Sequence, residues 1–361
     1  MSMHPHQHRP VMILAGGTGG HIFPGIAVAR ALRERGVPVR WLGADGGMET
    51  RLVPPHDIPM DTIAVSGVRG KGLGKLLGLP FKLFAAVKAA RAVLKAQQPC
   101  AVVSFGGYAA GPGGLAAKLL GVPLLVHEQN RAAGMTNRVL SRLADRVMTG
   151  FPDTFVGEYV VGNPVREEIA ALPQRSQIPV APLKLLVIGG SQGARALNEA
   201  VPKALATLAQ NGIGDVWQVR HQCGEKMLED TRRAYAEAGV AVQPEAFIAD
   251  MAAAWQAADL VICRAGALTL AEVCAAGVAA ILVPFPQAVD DHQTRNAEYL
   301  VSRQAALMVK QGEGLAAQLA QHLAHFAEQP ALLLSTGQAA RQLARPDAAA
   351  QVAEAVLEAA K

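Results

Sequence analysis

The chain is short of cysteine and of aromatic residues, with four cysteines and 4% Phe, Trp and Tyr in 361 residues. Cys100, Cys223, Cys263 and Cys274 form no Cys-x-x-Cys pair and no zinc-like spacing. A chain of this length needs no covalent staples, so a reducing cytosol is expected. Long apolar runs are missing too. Residues 100–117 are uncharged but are cut by Gly106, Gly107, Gly111, Pro112, Gly113 and Gly114, which argues against a transmembrane helix and leaves peripheral membrane contact as the expected mode. The first apolar run, Val11–Ala15, is too short for a secretory signal, and the polar start with His4, His6 and His8 reads as a disordered tail rather than a metal site. No Asp or Glu has a second acid two positions away. The Asp-x-Asp arrangement that would hold a divalent cation on a nucleotide diphosphate is therefore lacking, and neither a metal nor a cofactor is expected.

Negative charge is absent from one stretch. Between Thr62 and His127 there is no Asp or Glu, while Arg69, Lys71, Lys75, Lys82, Lys88, Arg91, Lys95 and Lys118 all fall there, so the formal net charge of +5 arises locally. Leu73, Leu76, Leu77, Leu79, Phe81, Leu83 and Phe84 are interleaved with these bases. Residues 69–95 thus read as an amphipathic surface for an anionic membrane, each basic residue contributing about 1 kcal/mol near the headgroups. The alternative is a solvated basic helix beside an ordinary core stripe. No aromatic platform or reading motif accompanies the charge, so nucleic acid is not an expected partner.

What the chain does have is 51% hydrophobic residues and 36 glycines, a composition suited to parallel sheets wrapped by Ala-rich helices. Its length calls for two domains. Val11–Ala15, then Gly16-Gly17-Thr18-Gly19-Gly20, then a helix over 22–35, reads as strand, glycine turn and helix. The same succession returns in Leu183–Ile188, Gly189-Gly190-Ser191-Gln192-Gly193 and a helix over 194–210. Apolar runs at 39–42, 101–105 and 124–126, and again at 216–219, 260–263 and 280–283, alternate with helical patterns in each half. The expected fold class is α/β, with two Rossmann-like, doubly wound parallel-sheet domains facing a cleft. Gly162-Asn163-Pro164 and the proline-rich stretch 172–182 mark a linker. The boundary is expected near residue 165, giving domains 1–165 and 166–361, with the last helix, from about Pro346 onward, packing back on the first domain.

Glycine loops at helix N-termini let backbone N–H groups approach an anion closely, though each loop could equally be a tight strand-to-helix turn. The dinucleotide fingerprint is not met, because Ile22 stands where its third glycine would fall; Asp45 could still mimic the ribose-binding acid, so an NAD enzyme stays a rival. Without a metal, leaving-group charge has to be met by loop N–H groups, helix dipoles and a cation. Arg166 is a candidate for that cation, or else one member of an ordinary ion pair. Arg264-Ala265-Gly266-Ala267-Leu268-Thr269 follows a strand and opens a helix containing Glu272, whose carboxylate could accept from two ribose hydroxyls or simply favour the helix start. His127-Glu128-Gln129-Asn130 closes another strand with four polar groups, a clustering typical of sites.

These residues resemble the MurG family of bacterial UDP-N-acetylglucosamine transferases, whose product is lipid II for peptidoglycan. The resemblance rests on Gly16-Gly17-Thr18-Gly19-Gly20-His21 with Pro24-Gly25, Gly106-Gly107-Tyr108, His127-Glu128-Gln129-Asn130, Thr136-Asn137, Gly162-Asn163-Pro164-Val165-Arg166, Gly189-Gly190-Ser191-Gln192-Gly193-Ala194 and Arg264-x-Gly266-Ala267-x-Thr269-x-x-Glu272. It implies a GT-B fold and an inverting, metal-independent transfer of GlcNAc from UDP-GlcNAc to the C4 hydroxyl of lipid I (undecaprenyl-pyrophosphoryl-MurNAc-pentapeptide) at the cytoplasmic face of the membrane. It further implies an acceptor- and membrane-binding first domain and a donor-binding second one. By the same resemblance Ser191 meets the donor diphosphate, Glu272 the ribose, the Ile248 backbone the uracil, and Gln293 the sugar. Thr18, Gly19, Gly20, Asn130, Arg166 and the turn Ala267, Leu268, Thr269, Leu270, Ala271 and Glu272 complete the donor site. His292 stands where some relatives carry a second glutamine. A base must take the acceptor proton. His21, an imidazole that can titrate near working pH, is the first candidate and is otherwise structural or acceptor-binding; Glu128 is the second, with Tyr108 and Asn137 on the acceptor side. A UDP-sugar 2-epimerase of the same fold and a non-catalytic nucleotide-sugar-binding protein are the other readings.

Overall fold

The computed structural model describes residues 9–65, 79–190 and 193–360. Ser191, the histidines of the amino-terminal tail and residues 69–78 of the basic stretch lie outside them. The chain divides into two compact units, Met1–Val165 with Arg345–Lys361, and Arg166–Ala344.

Unit 1 is built from β1 (Val11–Ala15), α1 (Gly19–Arg33), β2 (Val39–Ala44), α2 (Glu49–Leu52), β3 (Met60–Ile63), α3 (Leu79–Gln97), β4 (Ala101–Gly106), α4 (Ala110–Leu119), β5 (Leu124–Glu128), α5 (Met135–Leu140), β6 (Arg146–Thr149) and β7 (Tyr159–Val160). Its seven strands are parallel, in the order β3-β2-β1-β4-β5-β6-β7. Because β1 is buried on both sides, it is apolar at every position, and alternate residues feed two layers. Val11 and Ile13 pack with Trp41, Val103 and Phe105, while Met12 and Leu14 pack with Leu42, Val102, Leu94 and Leu140.

Unit 2 contains α6 (Glu167–Ala170), β8 (Leu183–Ile188), α7 (Arg195–Gln210), β9 (Trp217–Gln222), α8 (Leu228–Glu237), α9 (Met251–Ala257), β10 (Leu260–Cys263), α10 (Ala267–Ala276), β11 (Ala279–Leu282), α11 (His292–Val301), β12 (Leu307–Met308), α12 (Leu315–Glu328) and α13 (Ala331–Gln342). Its five parallel strands run in the order β12-β11-β10-β8-β9. The last helix, α14 (Ala348–Ala359), belongs to unit 1, where Val352, Ala353 and Val356 join the layer of Val11 and Ile13 beside α1.

In each sheet the strand order reverses once, between β1 and β4 and between β8 and β10. Ligands in doubly wound sheets bind just outside the carboxyl ends of the strands at such a switch point. The loops found there are the glycine-rich ones: residues 16–18 and 107–109 in unit 1, and 189–190 and 264–266 in unit 2.

Candidate active site

In unit 1 the chain leaves β1 through Gly16 and Gly17 and enters α1 at Thr18, which has extended backbone angles and makes no side-chain cap. Gly17 has φ +83°, a left-handed value that glycine adopts without strain. The N–H groups of the first helical residues, Gly19 and Gly20, have no carbonyl one turn back to bond, so they are available to an anion at the positive end of the helix dipole. The loop is held from below by a side chain that sequence reasoning missed. Glu49 is buried, and its carboxylate accepts from Gly17 N–H at 3.0 Å and Ala44 N–H at 2.8 Å. A Cβ on Gly16 or Gly47 would strike this carboxylate at 2.3 and 2.5 Å. The glycines that crowd it, Gly16, Gly43 and Gly47, are the only mark of it in the sequence.

His21 lies in the first turn of α1. Its Nδ1 is 2.9 Å from the carbonyl of Gly16. A carbonyl can only accept, so Nδ1 carries the proton and the neutral ring keeps its lone pair on Nε2, for which no hydrogen bond is seen among the described residues. Gly106 makes room for this edge of the ring, since a Cβ there would lie 3.2 Å from Nε2. Tyr108, in the same loop cluster, is exposed.

Glu128, at the end of β5, is buried and fully engaged. Its carboxylate accepts from Asn130 N–H at 3.0 Å, Asn130 Nδ2 at 3.3 Å, Gly134 N–H at 3.1 Å and Asn137 Nδ2 at 3.0 Å. Asn137 is also buried, donating to His127 O and accepting from the Ser104 hydroxyl. His127 donates from Nε2 to Gly162 O at 2.9 Å and faces Gln129 Nε2 at 3.1 Å, while Asn163 donates to Gln129 O. Burial pulls the pKa of His127 down from 6.5 to about 4, against the opposing bond to Gly162. The His-Glu-Gln-Asn and Gly-Asn-Pro segments are thus one buried network that fixes the loops around Asn130 and Asn137.

In unit 2, β8 is followed by Gly189 and Gly190, the latter at φ +76°, and Gly193, at φ +73°, donates its N–H to Gly190 O at 2.9 Å. Side chains from β9 and α7 anchor these glycines. Gln222 Nε2 donates to Gly190 O at 3.0 Å, and Asn198 Nδ2 donates to Cys223 O, the carbonyl that a Cβ on Gly193 would meet at 2.3 Å. Asn198 is in turn set by His221, which donates from Nε2 to its amide oxygen at 3.1 Å while Nδ1 accepts from the Tyr235 hydroxyl at 2.7 Å. Burial lowers His221 to about pKa 4, keeping it neutral as this arrangement requires. Neither His221 nor Asn198 stands out in the sequence.

Across the switch point, Gly266 caps α10, so the N–H groups of Ala267 and Leu268 form a second positive helix end, with Thr269, Leu270 and Ala271 completing the turn. Glu272 follows on α10. Its Oε1 accepts from Arg166 Nη2 at 2.8 Å and its Oε2 from Trp255 Nε1 at 3.2 Å. Arg264 donates to Val283 O, Pro284 O and Gln311 Oε1, with its guanidinium 5.4 Å from the Phe285 ring. Gln293 braces the same loop by accepting from Phe285 N–H at 2.9 Å, which leaves its amide NH₂ to donate. The Ile248 side chain is buried just before α9, and the neighbouring Phe247 is exposed.

Within each unit, then, the structure brings the sequence-derived residues together: Thr18, Gly19, Gly20, His21 and Tyr108 about one switch point, and Arg166, Glu272 and the 267–271 turn about the other. Asn130 and Asn137 join Glu128 on the buried side.

Two Rossmann-like units, each with a glycine loop and a helix N-terminus at its switch point, are the architecture of GT-B glycosyltransferases. Residues 11–149 match the glycosyltransferase family 28 N-terminal domain and residues 184–352 the glycosyltransferase family 28 C-terminal domain. The chain is 65% identical, over 97% of its own length and 82% of the other's, to the UDP-N-acetylglucosamine--N-acetylmuramyl-(pentapeptide) pyrophosphoryl-undecaprenol N-acetylglucosamine transferase of Xanthomonas campestris pv. campestris. It is 60% identical, over 97% of this chain and 96% of the relative, to the protein of that name from Xylella fastidiosa. Among solved structures it is similar to Acinetobacter baumannii MurG, with TM-score 0.83, 43% identity, and coverage of 97% of this chain and 99% of that one. The chain belongs to the MurG family of glycosyltransferases.

Proposed function

We propose that the chain transfers GlcNAc from UDP-GlcNAc to the C4 hydroxyl of the MurNAc of lipid I, giving lipid II, with inversion at the anomeric carbon and without a metal. The observation that carries the reading is the 65% identity, spread over 97% of the chain, to a transferase of that name.

The chemistry of this reading is a direct displacement. Nε2 of His21, which keeps its lone pair when Nδ1 donates to Gly16 O, takes the proton from the acceptor hydroxyl as that oxygen forms its bond to the anomeric carbon. The bond to UDP breaks on the opposite face, and the electron pair leaves with the diphosphate. The departing charge meets the N–H groups at the start of α10, the loop that contains Ser191, and the Arg166 guanidinium. Glu272 accepts from the ribose, the Ile248 backbone reads the uracil, and Gln293 reads the sugar. Thr18, Gly19 and Gly20 serve the diphosphates from unit 1. Tyr108 acts on the acceptor side directly, and Asn137 acts there through Glu128. Glu128 already accepts from four donors, which favours His21 as the base. Radiolabelled UDP-GlcNAc with a lipid I analogue tests the reading. Labelled lipid of inverted configuration is expected at full rate in excess EDTA, whereas bound donor with no lipid product, or activity only on restoring magnesium, would contradict it.

The acceptor is a lipid, and the described part of the basic apolar stretch suits a bilayer surface. On α3, Phe81 and Phe84 are 79% and 72% exposed, beside exposed Lys82, Lys88, Arg91 and Lys95. Among the described residues no helix is long and apolar enough to cross a membrane. This surface supports peripheral attachment to an anionic membrane, which in this reading is the cytoplasmic face. Co-sedimentation with phosphatidylglycerol vesicles but not phosphatidylcholine vesicles is expected, and replacing Phe81 and Phe84 together by serine should weaken it severalfold.

A further inference from the structure

The chain has three tryptophans, and the indole N–H of each is spent differently. Trp41 donates to a backbone carbonyl, Ala15 O, at 2.8 Å. The buried Nε1 of Trp217 has no partner among the described residues. Trp255, with no exposed surface, donates to Oε2 of Glu272. A tryptophan buried only for packing usually finds some acceptor for its N–H, and a carbonyl serves, as at Trp41. At Trp255 the acceptor is instead the carboxylate assigned to the ribose.

The indole is also held rigidly. Its helix, α9, is capped by Asp250, which accepts from Ala253 N–H at 2.9 Å. At the other end Arg175 donates to the carbonyls of Trp255 and Gln256 at 2.8 and 2.9 Å. Glu272 is therefore gripped from two sides, by a fixed neutral donor at Oε2 and by Arg166 at Oε1. The Arg166 side chain is 45% exposed, so the indole is the more constrained of the two. A carboxylate offers about four lone-pair positions. Two donors leave one free on each oxygen, the number that a pair of vicinal ribose hydroxyls requires.

We propose that Trp255 is a positioning residue for nucleotide recognition, fixing the plane of the Glu272 carboxylate so that both oxygens can accept from the ribose. The inference rests on the assignment of Glu272 to the ribose. The test compares the dissociation constants of UDP and 2′,3′-dideoxy-UDP in the full-length protein, together with KM and kcat for UDP-GlcNAc. Glu272→Ala should abolish the preference for UDP. Trp255→Phe, which keeps an aromatic ring and removes the N–H, should cut that preference by about tenfold or more, the loss expected for one hydrogen bond to a charged group, and should raise KM while leaving kcat at saturating donor unchanged. If Glu272→Ala loses the preference and Trp255→Phe keeps it in full, Trp255 is only a core residue and the proposal fails while the ribose assignment stands. If Glu272→Ala keeps the preference, that assignment fails and the role of Trp255 with it. Should Trp255→Phe not fold, tryptophan emission of the unmodified protein decides: UDP is expected to shift it more than dideoxy-UDP does, and equal shifts would overturn the proposal.

Discussion

Glu128 in unit 1 and Glu272 in unit 2 are each a carboxylate among the candidate residues of their own unit, and they are held in opposite ways. Glu128 is 2% exposed and takes all its donors from residues two to nine positions along the chain. Glu272 takes its two donors from side chains 17 and 106 positions away, one of them on a half-open arginine. A carboxylate saturated by a local network is a fixed part of the frame. One that keeps unused lone pairs beside a movable cation can still respond to a ligand. The contrast extends to the surroundings of each: unit 1 presents a loop buttressed from the core by Glu49, and unit 2 presents a partly exposed ion pair between Arg166 and Glu272.

The sharpest way to break this contrast is to ask whether the unit 1 residues affect turnover alone. His21→Ala should lower kcat by about 10²- to 10⁴-fold, the usual contribution of a general base, with UDP binding by calorimetry unchanged; a matching loss of UDP affinity would place His21 in donor binding instead. Next in size is a property both units share. His127 and His221 have folded pKa values near 4, below the unfolded 6.5, so the unfolded chain binds more protons between those limits. The stability each ring contributes is fully present above pH 6.5 and is lost as the pH falls to about 4, on the order of 3 kcal/mol per ring. Urea midpoints should drop steeply between pH 7 and 4.5, and a flat profile would mean these rings are solvated. Glu49→Gln, which removes one of the oxygens under the first glycine loop, should cost about 1–3 kcal/mol in urea unfolding and lower kcat through the displaced loop. Smallest in stability is Arg166→Ala. Its partly exposed pair with Glu272 should contribute within ~1 kcal/mol, so the melting temperature should hardly move while KM for UDP-GlcNAc rises severalfold.

Much of the frame can be read directly from the residues. Val11–Ala15, Leu183–Ile188 and Leu260–Cys263 are strands with the ends expected of them, because a strand buried on both faces must be continuously apolar and glycine stops it abruptly. The first helix starts earlier than its apolar pattern suggests. It begins at Gly19, not at residue 22, because glycine costs little at the first positions of a helix, where no turn has yet closed. The residues proposed for ligand contact carry family motifs and are visible from them. Glu49, Trp255, His221 and Asn198 are not, because each acts by a bond to a group brought near only by folding: Glu49 to Gly17 32 positions back, His221 to Asn198 23 positions away. In the one-dimensional chain they look like a surface acid, a core aromatic and two ordinary polar residues.

The return of α14 to unit 1 has a practical consequence for dissecting the molecule. Topologically, residues 166–344 are a guest inserted into a host whose own chain resumes afterwards. A fragment ending at residue 165 would strip Val352, Ala353 and Val356 from the layer they share with Val11 and Ile13, baring a greasy seat that invites aggregation. The guest can be excised in one piece, whereas the host survives only if its two ends are spliced together.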